Sequence, residues 1–95
     1  MSEIPTVVIW GTKNCKLCQQ ARDKILTIFC ISCTDKDITP ILTGDADRSD
    51  RSVMGVSVAL HMNNGDYPIV QVNQKFYTYP EALNEIRKLL NIKNL

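Results

Sequence analysis

"GTKNCKLCQQAR", residues 11–22, is where the chain changes from one periodicity to another, and two cysteines stand at the junction. Before it, residues 6–10 read TVVIW, a β-branched run bounded by Pro5 and Gly11, which predicts a buried strand. After it, Leu17, Ala21, Ile25 and Ile28 recur at helical spacing, while Lys16, Gln20, Arg22, Asp23 and Lys24 fall off that line. The spacing predicts an amphipathic helix over 16–29. Cys15 and Cys18 therefore sit between a strand and the start of a helix.

A second pair, Cys30 and Cys33, follows Cys18 after a gap of eleven residues, so two chemistries compete. Four thiolates could hold one zinc in a four-cysteine site, making the chain a zinc-stabilised binding module of Cys15, Cys18, Cys30 and Cys33. A helix over 16–29, at about 1.5 Å per residue, would hold Cys15 and Cys30 roughly 20 Å apart. Zinc–sulfur bonds are only about 2.3 Å long, so one ion cannot span that gap. The redox alternative needs a reactive thiolate. Cys15 precedes the helix, where unpaired N–H groups and the positive end of the dipole favour a negative sulfur. Lys13 and Lys16 add cations beside it. Such settings lower a thiol pKa from ~8.5 to about 3.5–7.5. The expected roles are Cys15 as nucleophile and Cys18, one turn further in, as the thiol that resolves the mixed disulfide. Cys30 and Cys33 lack flanking cations and a helix N-terminus. They read as packing thiols at a helix end and at the start of an internal strand.

Further along, CISCTDKDI (30–38) is expected to contain a strand, and TPILTGDADRSDRS (39–52) a polar loop entering a helix. RSVMGVSVALHM (51–62) places Val53, Val56 and Leu60 at helical spacing, with Gly55 as an irregularity. NNGD is a turn. Ile69–Val72 and Lys75–Tyr77 form two strands joined tightly at Asn73-Gln74, as in a hairpin. Thr78 and Glu81 have capping-box spacing ahead of a helix carrying Ala82, Leu83, Ile86, Leu89 and Leu90. The order is βαβαββα in one domain, 1–95: a parallel crossover unit, then a hairpin backed by a helix.

Bulk properties exclude several functions. Ninety-five residues with 44% hydrophobic and 22% charged side chains suit one small globular domain. A formal charge of +1 supplies no basic stripe for nucleic acid and no field for a membrane surface. No apolar run reaches the length of a membrane span, and the N-terminus has no secretory pattern. Four cysteines without such a pattern predict a reducing, cytoplasmic setting. His61, the one histidine, is expected at the surface. Tyr77 and Tyr79 are expected to pack at the hairpin exit, and Trp10 to lie near the dithiol as a fluorescent reporter. Asp45, Asp47 and Asp50 read as a solvated loop. No phosphate loop, catalytic carboxylate pair or serine triad appears.

With these elements placed, the chain resembles the glutaredoxins of the thioredoxin superfamily. CKLCQQARDKIL is similar to that family's CxxC and following helix, and YPIVQVNQKFYTYPEAL to its cis-proline strand, hairpin and final helix. The resemblance implies an α/β thioredoxin-like fold with a four-stranded mixed sheet and three helices. It implies a cis Pro68 against the dithiol, with Tyr67 pairing to an extended substrate. The substrate surface would comprise Lys13, Leu17, Tyr67, Pro68, Thr78 and Tyr79 around the catalytic Cys15 and Cys18. The implied activity is dithiol–disulfide exchange on protein disulfides by a monomer, with no tightly bound cofactor. The chain also departs from the family pattern: Lys16-Leu17 replaces Pro-Tyr between the cysteines, and Thr78-Tyr79 replaces Gly-Gly. Glycines let a ligand approach backbone closely, whereas Thr and Tyr do not. Small phage and bacterial redoxins serving ribonucleotide reductase share such departures. Glutathione and thioredoxin reductase both stand as expected electron sources.

Overall fold

The structure is a computed structural model that describes residues 4–93. Its elements run β1 (Val7–Gly11), α1 (Lys16–Phe29), β2 (Thr34–Asp37), α2 (Thr39–Thr43), α3 (Arg51–Met62), β3 (Ile69–Val72), β4 (Lys75–Thr78) and α4 (Tyr79–Lys93). The four strands form one mixed sheet in the order β2-β1-β3-β4. β1 pairs parallel to β2 and antiparallel to β3, and β3 pairs antiparallel to β4.

Alternation along the strands divides the interior into two cores, because successive side chains point to opposite sheet faces. Val7 and Ile9 of β1 with Val70 and Val72 of β3 pack against Cys18, Ala21 and Ile25 of α1 and Ala82 and Ile86 of α4. On the other face Trp10 and Ile69 pack with Ile38 and with Val56 and Leu60 of α3. Ile9, Ile25, Ile69 and Ile86 are almost fully enclosed. Truncating any of them to alanine would cost about 2–5 kcal/mol.

Several local sequences explain where elements begin and turn. The Asp50 carboxylate accepts from the Ser52 and Val53 N–H groups at 2.8 and 3.4 Å, capping α3. Asp45 accepts from the Thr43 hydroxyl and Asp47 from Ser49, so the acidic run is a set of caps and turns as well as a solvated loop. Asn73 takes a left-handed φ of 58° at the β3–β4 turn, a conformation asparagine tolerates. The Asn73 side chain accepts from Thr6 N–H at 3.0 Å, tying the turn to the chain before β1. At the start of α4 the Thr78 hydroxyl donates to the Glu81 carboxylate at 2.7 Å, the pair whose spacing resembled a capping box.

Four expectations need correction. The segment 39–52 is not all loop: Thr39–Thr43 forms a short helix, giving four helices among the described residues where three were expected. Pro40 near its start and left-handed Gly44 at its end supply the usual helix boundaries. β2 begins after Cys33 and lies at the sheet edge with every residue exposed, so it is not internal. Its TDKD sequence puts charge on that edge, which discourages pairing with another chain. The buried line of α1 is Cys18, Ala21 and Ile25, with Leu17 at 53% and Ile28 at 46% exposure on its flank. Finally, Trp10 belongs to the core on the α3 face, whereas the dithiol belongs to the opposite one. Its indole N–H donates to Gln71 at 3.0 Å, and the Lys36 ammonium lies 5.3 Å from its ring centre.

Among the described residues, no helix is long and apolar enough to cross a membrane. His61 is exposed in the last turn of α3.

Candidate redox site

Strand β1 ends at Gly11, and four residues later Cys15 occupies the N-cap of α1 in extended backbone, φ −87° and ψ 112°. Helix starts leave N–H groups without partners, and a side-chain acceptor at the N-cap satisfies one of them. Here that acceptor is sulfur: Cys15 Sγ accepts from the Cys18 N–H at 3.0 Å. The same bond would stabilise a thiolate in the reduced protein, together with the helix dipole. Cys15 and Cys18 are joined as a disulfide, with their Cα atoms 5.2 Å apart. Both cysteines are largely buried, at 9% and 7% exposure.

The floor beneath the disulfide is made by β1 and by the turn before β3. The Tyr67–Pro68 peptide is cis, as the resemblance implied, and Pro68 is buried. Tyr67 is half-buried and packs against both cores. A cleft of about 320 Å³ opens beside Cys18, between α1 and β2, with Gly11, Thr12, Lys13, Gln19, Arg22, Asp35 and Asp37 on its walls. The Arg22 guanidinium donates to Asp35 at 2.6 Å, an ion pair between two residues of the cleft wall. That hydrogen bond and the Asp35 charge hold Arg22 above its usual pKa. Asp37 accepts from the Thr39 hydroxyl and N–H at 2.6 and 2.9 Å, which holds its carboxyl below the ordinary range, with a smaller contribution from Lys13.

The structure brings Lys13, Cys15, Cys18 and Pro68 to one end of the sheet, and leaves Leu17 exposed beside the disulfide. Thr78 and Tyr79 stand at the β4–α4 junction. Tyr79 lines a separate groove along α1 with Gln20, Asp23, Lys24, Thr27 and Ile28. Burial raises the pKa of Tyr79, and burial with nearby Glu85 and Glu81 raises that of Tyr77. Both phenols therefore stay neutral at ordinary pH, consistent with packing.

The other cysteine pair lies beyond the far end of α1. Cys30 is its exposed C-cap, in left-handed backbone with φ 57°, and its N–H donates to Leu26 C=O at 2.9 Å. It does not pack as an interior thiol. Cys33 is half-buried against the α1–α4 core. Burial, then the Asp35 charge, push its thiol up to about 11, against a smaller opposing pull from Arg22. The 14 residues of α1 span about 21 Å at 1.5 Å each, so the two pairs cannot share one zinc ion. Among the described residues no three His, Cys, Asp or Glu side chains converge as a metal site.

Sequence reading treated Gly11, Arg22 and Asp35 as a strand boundary, a helix-surface residue and a residue of the segment after α1. The structure puts all three on the cleft beside Cys18. A signal existed only for Gly11, as an unexplained glycine at the end of a strand entering the CxxC.

No protein-family model matches the chain, and no curated protein matches it in sequence. A solved structure, oxidised glutaredoxin 2 from Chlamydomonas reinhardtii, is similar to it with a TM-score of 0.52 and 22% identity. The match covers 92% of this chain and 80% of that one. The four-stranded mixed sheet, its element order and this neighbour show an α/β, thioredoxin-like fold.

Proposed function

We propose that the protein is a dithiol–disulfide oxidoreductase that reduces protein disulfides through Cys15 and Cys18. One observation carries this reading: a CxxC disulfide whose first sulfur is itself the N-cap acceptor of the following helix. In the reduced protein the Cys15 thiolate attacks one sulfur of a substrate disulfide. The Cys15–substrate bond forms, the substrate S–S bond breaks, and the first substrate sulfur leaves as a thiolate that takes up a proton. Cys18, after losing its proton, attacks Cys15 Sγ, closing the Cys15–Cys18 bond and expelling the second substrate sulfur. The substrate gains two electrons and the protein loses two.

Leu17 and the backbone before Pro68 supply the contact surface for an extended polypeptide carrying the disulfide, with Lys13 at its edge. Thr78 borders that surface from the β4–α4 junction, and Tyr79 extends the contact into the separate groove along α1. The substrate class is disulfide-forming enzymes of a reducing, cytoplasmic compartment, with ribonucleotide reductase as the type implied by the resemblance. The chain works as a monomer without a tightly bound cofactor, and glutathione or thioredoxin reductase returns its electrons. Paired coupled assays, one with each reductant, separate those two sources.

The test is reduction of insulin or hydroxyethyl disulfide by purified variants. Cys15→Ser should abolish turnover, and Cys18→Ser should accumulate a mixed disulfide with an oxidised substrate. Wild-type turnover by Cys15→Ser would overturn the assignment of the nucleophile.

A further inference from the structure

Gly11 has no left-handed φ to explain it, and its extended backbone is open to any residue. Glycine inside a strand weakens it, and usually marks a close approach. At Gly11 the approaching group is the resolving cysteine. A Cβ built on Gly11 would overlap Cys18 Sγ, and it would stand 3.1 Å from Cys18 Cβ and 4.0 Å from Pro68 Cβ. The Cys18 sulfur therefore occupies the volume that a side chain on β1 would fill. Gly11 is also fixed in place: its carbonyl accepts from Ile38 N–H at 2.9 Å, and it pairs with Asp37 across the β1–β2 ladder. The strand cannot easily withdraw to make room.

We propose that Gly11 is a positioning residue for the resolving step, holding Cys18 Sγ within reach of Cys15 by leaving its own side-chain volume empty. The inference deepens the two-cysteine reading and rests on it. Any larger residue at position 11 displaces the Cys18 sulfur while leaving the Cys15 N-cap, on the preceding loop, in place. The first attack survives such a change and the second is slowed. Cys18 then competes poorly with external thiols for the mixed disulfide at Cys15, and a dithiol protein becomes in practice a one-cysteine one.

The experiment is reaction of reduced wild type and Gly11→Ala with oxidised glutathione, acid-quenched at a series of short times and read by intact mass. Glutathione here is a chemical probe of Cys15. Wild type should collect as the intramolecular Cys15–Cys18 disulfide. Gly11→Ala should shift the ratio of glutathione adduct to intramolecular disulfide by about tenfold or more, since small misplacements of a reacting atom cost rates of that order. An unchanged ratio would overturn the proposal. Wild type that never closes the intramolecular disulfide would instead overturn the two-cysteine function itself.

A merely structural role for Gly11 is separated by a thermal-unfolding cycle on the reduced proteins. With Cys18→Ala the sulfur is gone, so Gly11→Ala should lower Tm much less in that background than in wild type. An equal loss in both backgrounds would show that the glycine serves strand packing alone, and would sink the positioning role.

Discussion

Helix α1 carries a Cys-x-x-Cys sequence at each end, and the two pairs meet different environments. At the N-terminus Cys15 Sγ is an acceptor for helix N–H and lies at the positive end of the dipole. Beyond the C-terminus Cys30 caps the helix where carbonyls are unpaired, and Cys33 is pressed against the core beside Asp35. Identical spacing thus gives one pair whose first sulfur sits at a helix N-terminus and one whose Cys33 thiol is kept protonated by burial. What separates them is the helix N-terminus at Cys15 and the burial of Cys33 beside Asp35, neither of which spacing encodes.

The contrast would break most visibly in turnover. Cys15→Ser should reduce disulfide reduction by about a thousandfold or more, the scale seen when a nucleophile is removed. Cys33→Ser should leave turnover near wild type. Comparable losses from both substitutions, measured in one insulin-reduction assay, would mean that the far pair takes part in the chemistry.

Chemical labelling sharpens the same comparison without mutation. A thiol with pKa near 11 is almost wholly protonated at pH 8, and alkylation proceeds through the thiolate. Reduced protein pulsed with iodoacetamide at pH 8 should modify Cys15 far faster than Cys33, of which only roughly one thiol in a thousand is ionised at that pH. The sign of the pH dependence follows: labelling at Cys33 should climb steadily with pH and level off only near 11. Equal rates at the two sites, read by peptide mass, would refute the electrostatic account.

How much of this was readable beforehand depends on whether the signal was local. The strand–CxxC–helix junction was legible because strand and helix periods change within a few residues, and the final helix because Thr78 and Glu81 announce it. The buried face of α1 was displaced by one residue, because Cys18 was counted as chemistry and not as an apolar core position. α2 was missed although Pro40 and Gly44 bracket it, since charged residues dominated the surrounding segment. Edge placement of β2 and the closeness of Gly11 to Cys18 depend on which strands pair and which side chains meet across them. Those are tertiary facts, and no window of sequence contains them. The substrate-surface residues stand between these extremes: Pro68 reaches the dithiol end of the sheet, whereas Tyr79 sits in its own groove along α1.

The smallest expected effect concerns the far pair alone. Cys30 holds a left-handed φ of 57° with no glycine to relieve it, at a position where helices commonly place glycine. Its side chain is exposed, so replacing it removes little packing. Left-handed backbone costs an ordinary residue roughly 1–2 kcal/mol, partly offset by the greater chain entropy glycine loses on folding. Cys30→Gly should therefore stabilise the protein by about 0.5–1 kcal/mol, a rise of a few degrees in Tm by thermal unfolding of the reduced protein. It should do so without altering Cys15 labelling, because the change lies about 21 Å away along a helix of 14 residues. A fall in Tm would mean that the Cys30 thiol makes a stabilising contact that outweighs its backbone strain, and the far pair would then need a role beyond capping.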